Sequence, residues 1–454
     1  MSSKFLPVDN PTKSFWHSRA DQFAKHRTTP TLPAHADVVI IGSGYAGTTT
    51  AYYLMKGSST PLNVTMLEAR DVCSGATGRN GGHLKPDLYY NTLSFTDKYG
   101  EKGCADIANF EYAHIAAMKE LIEAEQIDCD FVLTRAVDVH LSPEANERCL
   151  RNYQAMMKNP YITCKSDLQL LTGEQAKVTS KSEDTEVAVS YTAGQMWPYK
   201  LITTILKRLI DKYGLNLQTN TPALSVSKLS DGKWEIVTPR GSIVTSKVVL
   251  ATNAYTASVD SRFIDKIVPI KGICCHITAS NKSERTPHLS NTYGIRNDHL
   301  ADGDYLINRP DGSVVVGGAK KHIFPFKERF YNNVDDSSLI DGTSDYFTDD
   351  YMQKRFYTWK NFESKPDYIW SGILGYTDDS LPYVGEIEPG KYIIAGFHGH
   401  GMPRVLLCAK ALALALETGA EVEGIPDSFK ATPKRLASTQ NTILKALGTP
   451  TAKL

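Results

Sequence analysis

The feature that most constrains the fold is a glycine pattern between two apolar runs. Residues 42–47 read Gly-Ser-Gly-Tyr-Ala-Gly and directly follow Ala36–Ile41, a run rich in β-branched residues. Such a run is typical of a buried strand in a parallel sheet. A helical stretch over Thr48–Lys56 and a second strand over Leu62–Leu67 come next, and the strand ends at Glu68. This order predicts a Rossmann-type unit that binds a dinucleotide.

Each glycine of the pattern has a mechanical role. Gly42 permits the tight turn, Gly44 lets the backbone approach a pyrophosphate, and Gly47 lets the helix pack on the strand. The helix N-terminus presents free N–H groups and the positive end of its dipole to the phosphates. Glu68 can accept hydrogen bonds from an adenosine ribose, and its charge would repel a 2′-phosphate, which argues against NADP.

The residues after Glu68 bear on the choice between NAD and FAD, which the glycine pattern leaves open. Glycine and alanine dominate residues 75–82, and such a stretch forms neither a stable helix nor a core strand. It suits backbone that lies flat against a large planar ligand. Ser74 and Thr77 are candidates to bond phosphate oxygens, and the N–H groups near Gly82 are candidates to approach a ring nitrogen.

Glu68-Ala69-Arg70, followed by Ser-Gly-Ala-Thr-Gly-Arg-Asn-Gly-Gly-His over residues 74–83, resembles the D-amino-acid-oxidase-type family of FAD-dependent oxidoreductases. Within it, the stretch is most similar to the amine oxidase branch related to sarcosine oxidase and γ-glutamylputrescine oxidase. Later blocks resemble the same family: 194–201, 220–223, 247–255, 268–272, 304–312, 370–382 and 396–402. The resemblance spans about residues 36–425, and it implies FAD rather than NAD.

The resemblance implies an α/β plus α+β fold with two interleaved domains. A Rossmann-like FAD-binding domain would comprise residues 1–100, 195–262 and 366–430. A smaller substrate domain, built on a mixed or antiparallel β-sheet, would comprise residues 101–194 and 263–365. We expect residues 1–35 to form an N-terminal arm on the surface and residues 431–454 to form a C-terminal tail.

Periodicity adds detail to this picture. An amphipathic pattern predicts a helix over residues 101–126, and alternation predicts strands over 131–141 and 267–278. The polar stretches 281–300 and 321–350 are either loops over the active site or ordinary surface insertions.

The resemblance carries a set of cofactor contacts over to this chain. The expected FAD-binding residues are Gly42, Gly44, Tyr45, Ala46, Gly47, Glu68, Ala69, Arg70, Ser74, Ala76, Thr77, Gly78, Arg79, Asn80, Gly81, Gly82, His83, Ala223, Ala251, Thr252, Asn253, Gly372, Leu374, Gly399, His400, Gly401 and Met402. The helix over Val405–Leu416 would direct its N-terminus at the flavin and stabilise negative charge there. Relatives with covalent FAD carry a Cys at the position of Gly372, so we expect non-covalent FAD.

The reaction implied by the resemblance is hydride transfer to the flavin from a carbon next to nitrogen. The candidate residues for contact with substrate or oxygen are His83, Lys271, Tyr305, Tyr376 and His398. Each has a structural alternative, such as an ion pair for Lys271 or a purely backbone contact for His83. We expect no metal site.

Three departures from better-known relatives bear on the substrate. Glycine and D-amino-acid oxidases have an Arg that binds the substrate carboxylate where this chain has Leu374. Sarcosine oxidases have a Lys where this chain has Pro403. These differences favour an amine without an α-carboxylate, or one held by other groups. Val315 stands where the branch has a Lys that helps oxygen react, with Lys271 and Lys320 as possible substitutes.

The leading hypothesis is an FAD-dependent oxidase that converts a primary or secondary amine to an imine and reduces O2 to hydrogen peroxide. A flavin-dependent dehydrogenase, or a tailoring oxidase of an alkaloid-like amine or amino-acid derivative, is the alternative within enzymes. A non-catalytic or sensor flavoprotein and an NAD-dependent dehydrogenase also stay open.

Composition bears on partners. The chain has 50 Lys and Arg against 50 Asp and Glu, so it is a poor candidate to bind nucleic acid or an anionic membrane. No apolar run approaches the roughly 20 residues that span a bilayer, and the N-terminus lacks a signal-peptide pattern. Its 8 cysteines include no CxxC pair, so we expect reduced thiols. We expect a monomer.

The C-terminal Ala452-Lys453-Leu454 resembles the Ser-Lys-Leu peroxisomal address. It implies a peroxisomal import receptor as a partner and the peroxisomal matrix, of a fungal cell, as the location; the alternative is the cytoplasm. Peroxisomes hold peroxide-producing oxidases together with catalase, which agrees with the leading hypothesis.

Overall fold

The computed structural model of the protein describes residues 3–281, 283–297 and 303–447. The end Ala452-Lys453-Leu454 lies outside the described residues, so the peroxisomal address stays a prediction.

The secondary structure follows the chain in this order. Strands β1 to β17 are His35–Ile41, Val64–Leu67, His83–Leu84, Val132–His140, Gln169–Thr172, Val187–Gln195, Asn216–Gln218, Ser225–Lys228, Trp234–Thr238, Gly241–Leu250, Val268–Ala279, Thr292–Arg296, Gly303–Asn308, Val314–Gly318, Ser364–Tyr376, Tyr383–Glu388 and Lys391–Ala395. Helices α1 to α11 are Tyr45–Gly57, Thr92–Ala124, Pro143–Lys158, Glu174–Ser180, Pro198–Tyr213, Lys320–Ile323, Lys327–Phe330, Thr343–Thr348, Val405–Thr418, Pro433–Ala437 and Ile443–Ala446. Short 3₁₀ helices are Ser3–Phe5, Phe15–His17, Gln22–Lys25, Ala76–Gly78, Cys164–Asp167, Asn253–Ser258, Ser261–Phe263, Tyr357–Trp359 and Asp427–Phe429.

The glycine turn lies at the C-terminal end of the parallel strands of the first sheet. Its strand order is β16-β17-β10-β1-β2-β7, with β8 and β9 attached through β10. Strand β1 is parallel to both β10 and β2, and its last residue, Ile41, is in register with Leu250 and Leu67. Three parallel strands therefore end side by side where the glycine turn begins. The apolar run of β1 is buried on both faces because it lies at the centre of this sheet.

The second sheet is mostly antiparallel. Its strand order is β15-β11-β14-β13-β12-β4-β6-β3, with β5 paired to β6. Strands β12 and β4 form a parallel pair, so the sheet is mixed. The predicted fold class, a Rossmann-like sheet together with a mixed or antiparallel sheet, is confirmed. The helix predicted over residues 101–126 is the C-terminal part of α2, which kinks at Gly100 (φ 74°).

The two sheets interleave along the chain, and two strands differ from the predicted segments. Strands β3 and β15 belong to the second sheet, although residues 1–100 and 366–430 were predicted for the FAD-binding domain. Strand β15 pairs with β11 from Tyr376 opposite Val268 to Ser364 opposite Ala279. Because of this long ladder, the second sheet extends along the chain as far as Tyr376. The division into domains itself stays a prediction.

The N-terminal arm is not confined to the surface, so that prediction is wrong for residues 14–16. Ser14 and Trp16 are fully buried and Phe15 is nearly so. The Ser14 hydroxyl donates to the carbonyl of Gly78 at 2.7 Å, and the Trp16 indole N–H donates to the carbonyl of Asn80 at 2.5 Å. Two adjacent aromatic rings bury enough apolar area to outweigh the polar, proline-containing sequence around them.

Two further findings concern the described part of the chain. No helix there combines the length and apolarity needed to cross a membrane. All 8 cysteines of the sequence fall in it, and each is buried with a free thiol.

We expect Trp16→Ala to lower the free energy of unfolding by about 3–5 kcal/mol, because it leaves a large cavity behind residues 78–80. Urea unfolding followed by far-UV circular dichroism measures the change. Tyr161→Ala is the control, since Tyr161 is 53% exposed and its loss should alter stability by about 0.5 kcal/mol or less. Equal effects of the two substitutions would show that the arm does not contribute to the core.

Candidate functional site

The glycine turn after β1 is closed by backbone contacts that exclude a side chain. A Cβ on Gly42 (φ 115°) would lie 2.5 Å from the carbonyl oxygen of Ala251, and a Cβ on Gly47 would lie 2.0 Å from that of Gly42. The N-terminus of α1 is thereby held against the ends of β1 and β10. Its free N–H groups lie at the edge where the parallel strands end, which suits an anionic ligand.

A cavity of about 180 Å³ lies at this edge. The predicted FAD-binding residues that line it are Gly42, Gly44, Tyr45, Ala46, Glu68, Ala69, Arg70, Ser74, Ala76, Thr77, Asn80, Ala223, Ala251, Thr252, Asn253, Leu374, Gly399, Gly401 and Met402. The sequence reasoning missed other lining residues, namely Leu6, Pro7, Ile41, Leu67, Gly75, Tyr255, Ser258, Val259, Ile373, Phe397 and Val405. Several of these belong to the blocks that carry the resemblance, whereas Leu6 and Pro7 had no signal in the sequence.

Three orphaned hydroxyls, those of Tyr45, Ser74 and Tyr255, belong to residues that line this first cavity, and they point to a polar ligand. All three side-chain oxygens are buried, and none has a hydrogen-bond partner among the residues that the structure describes. A buried hydroxyl without a partner is unfavourable. A pyrophosphate beside the N-terminus of α1 would supply acceptor oxygens, so the residues present fit a dinucleotide.

Glu68 is fixed at the tip of β2 by the turn itself. One carboxylate oxygen accepts hydrogen bonds from the backbone N–H of Ser43 at 3.0 Å and from its hydroxyl at 2.7 Å. The other oxygen accepts from the backbone N–H of Arg70 at 3.0 Å. These bonds hold the carboxylate at the cavity wall, where the predicted contact with a ribose would be made.

The arginines of the predicted FAD segment are tied to a buried acid. Arg70 makes a two-pronged contact with Asp336, at 2.8 and 3.0 Å, and Asp336 is fully buried. The Nε of Arg79 lies 3.4 Å from the same carboxylate and donates to the carbonyl of Ser74 at 2.9 Å. Asp336 lies in the polar stretch 321–350, which therefore packs against the cofactor loop.

A second cavity, of about 960 Å³, adjoins the first. The residues that line both cavities are Ala76, Asn80, Ile373, Leu374, Gly399 and Met402. All five candidates for substrate or oxygen contact line the second one: His83, Lys271, Tyr305, Tyr376 and His398. Other predicted FAD-binding residues that line it are Arg79, Gly81, Gly372 and His400. Its volume matches a pocket for a drug-sized ligand.

Three predicted glycines line neither cavity and serve packing instead. A Cβ on Gly47 would strike the turn, as described above. A Cβ on Gly78 would lie 2.3 Å from the His17 ring, and one on Gly82 would lie 2.4 Å from the carbonyl oxygen of Met196. These glycines let the N-terminal arm and the second sheet approach the cofactor loop closely.

Tyr305 occupies space that two glycines leave open. A Cβ on Gly81 would lie 2.1 Å from its ring, and a Cβ on Gly317 would lie 2.2 Å from its hydroxyl. That hydroxyl is 3.2 Å from the sulfur of Cys274. Burial raises the pKa of Tyr305 well above its usual value, so the phenol stays neutral.

Two of the three histidines that line the second cavity, His83 and His398, are neutral at physiological pH. Burial, with help from Lys85, lowers the pKa of His83 to about 3, and its Nε2 lies 2.7 Å from the hydroxyl of Thr292. Burial also lowers the pKa of His398 to about 3. Its Nδ1 accepts the backbone N–H of Thr377 at 3.1 Å, which requires an unprotonated nitrogen.

His400 belongs to an ion cluster between α2 and the start of α9. Its Nε2 lies 2.7 Å from one oxygen of Glu111, and the Nε of Arg404 lies 2.7 Å from the other. Burial opposes ionisation of Glu111, but the charges on His400 and Arg404 outweigh it and lower the pKa of this carboxyl to about 2. Glu111 was missed because it reads as one more polar position on an amphipathic helix.

Lys271, a candidate to help oxygen react with the reduced flavin, contacts a segment that contains Asp335 and Ser338. The Nζ of Lys271 lies 3.3 Å from both the carbonyl and the hydroxyl oxygen of Ser338, and 3.6 Å from a carboxylate oxygen of Asp335. Burial lowers the pKa of Lys271, although Asp335 opposes the shift. Val315 is fully buried in the apolar core. Lys320 lines the second cavity with Lys271.

Within residues 3–281, 283–297 and 303–447, no group of three or more His, Cys, Asp or Glu side chains is placed to hold a metal ion.

The comparison with protein families agrees with the geometry of the first cavity. Residues 37–415 match the family described as DAO: FAD dependent oxidoreductase. The chain belongs to the DAO family. It is therefore an FAD-dependent oxidoreductase. Non-covalent attachment of the cofactor stays a prediction.

Individual DAO-family relatives are distant but match along most of their length. The chain is 23% identical to the probable oxidoreductase OrdL of Haemophilus influenzae, covering 84% of this chain and 83% of the relative. It is 23% identical to γ-glutamylputrescine oxidoreductase of Escherichia coli, covering 90% of each chain. Glycine oxidase from Geobacillus kaustophilus has a similar fold, with a TM-score of 0.69 and 20% identity over 88% of this chain and 99% of that one.

We expect Asp336→Asn to lower the free energy of unfolding by about 3–5 kcal/mol, because it leaves Arg70 and Arg79 buried without a counter-charge. The FAD-loaded protein should also release its flavin at a lower urea concentration, which flavin fluorescence reports. The control is Asp341→Asn, since Asp341 is 73% exposed and pairs with Arg329 at the surface; its effect should be about 1 kcal/mol or less. An Asp336→Asn variant as stable as this control would contradict the role of the ion cluster.

We expect His398 to make the protein less stable as the pH falls. The unfolded chain takes up a proton near pH 6.5, whereas the folded ring does so only near pH 3. The free energy of unfolding should therefore fall by up to about 1.4 kcal/mol per pH unit in this window through His398 alone. His398→Asn suits the positive φ of 54° at this position and should show a shallower slope between pH 6 and 4. Identical slopes would mean that His398 is protonated in the folded protein.

Proposed function

We propose that the protein is an FAD-dependent amine oxidase. It would convert a primary or secondary amine to an imine, which water hydrolyses to a carbonyl compound, and would pass the electrons to O2 to form hydrogen peroxide. The observation that carries this proposal is the uncharged wall between the two cavities, which contains Leu374 and Met402. The name of the Escherichia coli relative, γ-glutamylputrescine oxidoreductase, also supports an amine substrate.

Bound FAD supplies the hydride acceptor. The protein has to bring a carbon next to nitrogen to that acceptor with the amine in its neutral form, since a protonated amine has no lone pair to assist. The neutral rings of His83 and His398 and the neutral phenol of Tyr305 line the cavity where the amine would bind. They offer hydrogen bonds without stabilising an ammonium ion.

Relatives place a cation for the substrate's α-carboxylate at two positions, and this chain has no cation at either of them. Leu374 and Pro403 both line the second cavity, and neither can pair with an anion. Arg79 and Arg404 line it as well, but they are tied to Asp336 and Glu111 respectively. This arrangement supports a substrate whose oxidised carbon carries no carboxylate.

The alternative is a flavin-dependent dehydrogenase, or a tailoring oxidase of an alkaloid-like amine or amino-acid derivative. The observation that favours a dehydrogenase is Val315, an apolar residue fully buried in the core, at the position where the related oxidases have a lysine. Lys271 and Lys320 line the second cavity and are the available substitutes.

Anaerobic titration of the purified protein with a panel of primary and secondary amines tests the proposal. We expect at least one amine to bleach the flavin absorbance, and admission of air to restore it rapidly with formation of hydrogen peroxide. Bleaching followed by slow recovery would replace the oxidase by a dehydrogenase. A flavin that no amine reduces would contradict the proposal and favour a non-catalytic flavoprotein.

We expect Lys271→Met to slow the reaction of the reduced enzyme with O2 by about tenfold or more, because it removes a buried positive charge from the cavity. Stopped-flow mixing of the reduced protein with oxygenated buffer measures this rate. The rate of flavin reduction by the amine should change less, by about threefold at most. Lys119→Met, at a position 46% exposed, is the control. Unchanged reoxidation in Lys271→Met would exclude Lys271 and direct attention to Lys320.

A further inference from the structure

The second cavity contains a pair of arginines that the proposed amine chemistry does not use. Arg148 of α3 and Arg296 of β12 both lie against the ring of Tyr90. Their guanidinium carbons are 4.5 and 4.3 Å from its centroid. All three residues line the second cavity, and none lines the first. The pair therefore lines the second cavity outside the wall that the two cavities share.

Within the part of the chain that the structure describes, neither guanidinium forms an ion pair with a carboxylate. Among the described residues, Arg148 and Arg296 form no ion pair, and their side chains donate no hydrogen bond. The Nη1 of Arg148 and the Nε of Arg296 are buried without a partner. Contact with the Tyr90 ring stabilises the positive charge through its face, but it leaves the in-plane N–H groups unused. Such N–H groups match the geometry of a carboxylate.

Two acidic side chains near Arg296, Asp138 and Asp87, already have other partners. Glu144 and Glu147 of α3 also line the cavity, and among the described residues neither forms an ion pair with Arg148 or Arg296. Asp138 pairs with Lys85 at 2.9 Å and accepts hydrogen bonds from the hydroxyls of Tyr191 at 2.8 Å and Tyr89 at 3.2 Å. The carboxylate of Asp87 accepts the backbone N–H of Tyr90 at 3.1 Å and also contacts the side-chain amide of Asn91. Considering residues 3–281, 283–297 and 303–447, the arginine pair is therefore a positive site with unpartnered N–H donors.

The arginine pair and the apolar positions at the shared wall thus belong to one cavity. Near the shared wall lie Leu374, Pro403 and the neutral ring of His398, and elsewhere in the cavity lie Arg148 and Arg296. We propose that these two arginines form a carboxylate-binding subsite, so that the substrate is an amine whose carboxylate is several bonds away from the oxidised carbon. The orientation of the substrate in this inference rests on the proposed amine oxidation. The binding of a carboxylate can be tested without turnover.

The binding experiment uses the FAD-loaded protein and unreactive ligands. Straight-chain carboxylates from butanoate to octanoate are each compared with the primary amide of the same length. The dissociation constant is read from the perturbation of the visible flavin spectrum and from the ligand-induced rise in melting temperature. We expect the acid to bind about tenfold tighter than its amide at the best chain length, as a charge-assisted contact would give.

Variants assign the preference to the arginine pair. Arg148→Gln and Arg296→Gln should each reduce the preference for acid over amide to about threefold or less, with the affinity for the amide changed by about twofold at most. The charge-retaining Arg148→Lys and Arg296→Lys should keep part of the preference, and they replace a Gln variant that fails to fold. Lys158→Gln is the control, since Lys158 is an exposed cation at the end of the same helix and lines neither cavity. No preference at any length, or a preference that survives both Gln variants, would overturn the subsite.

A turnover experiment separates this inference from the proposed function. ω-Amino acids of the same lengths, each with its ω-amino amide, are tested for anaerobic reduction of the flavin. Faster reduction by the acid, lost in the Arg variants, supports both proposals. Reduction by acid and amide alike would leave an amine oxidase without the subsite. Arginine-dependent carboxylate binding with no reduction by any amine would support the subsite and contradict the amine oxidase.

Discussion

The buried residue Asp336 holds together three parts of the chain that are far apart in sequence, through its carboxylate and its backbone carbonyl. It pairs with Arg70 and lies beside Arg79, both in the loop that follows β2. The backbone carbonyl of Asp336 accepts the N–H of Thr12 at 2.7 Å, and the hydroxyl of Ser371 in β15 donates to it at 3.1 Å. Removing any charged partner would leave a buried ion uncompensated, so the cluster favours one arrangement of the cofactor loop over others.

This cluster changes what the arginines of the glycine-rich segment do. Arg70 and Arg79 position backbone, because their guanidinium groups turn to Asp336 and to the carbonyl of Ser74. The N-terminal arm packs on the same loop through the side chains of Ser14 and Trp16. The loop is thus fixed by protein on one side, while Ser74 and its neighbours line the first cavity. Bound FAD would give the orphaned hydroxyls there hydrogen-bond partners.

Features of the fold and the site that depend on residues close together in sequence were predicted, and those that depend on distant partners were not. The turn over residues 42–47, strand β1 and helix α1 follow from sequence neighbours, so these elements were anticipated, and so was the part of the first cavity's lining that the turn contributes. The burial of Trp16 and the pairing of Asp336 depend on partners far away in sequence, which periodicity does not reveal. The place of strand β15 in the second sheet was not predicted for the same reason, since it is set by the ladder with β11.

The distribution of charge in the second cavity connects binding to chemistry. A cation near the bound amine lowers the pKa of that amine, because two positive charges in a medium of low dielectric repel each other. Arg148 and Arg296 would therefore bind a carboxylate and at the same time disfavour an ammonium ion elsewhere in the cavity. The neutral rings of His83 and His398 add no negative charge that would stabilise the ammonium form of the substrate. A single zwitterionic substrate would then be held by its anionic end and presented to the flavin with its nitrogen lone pair free, which is the form that hydride transfer requires.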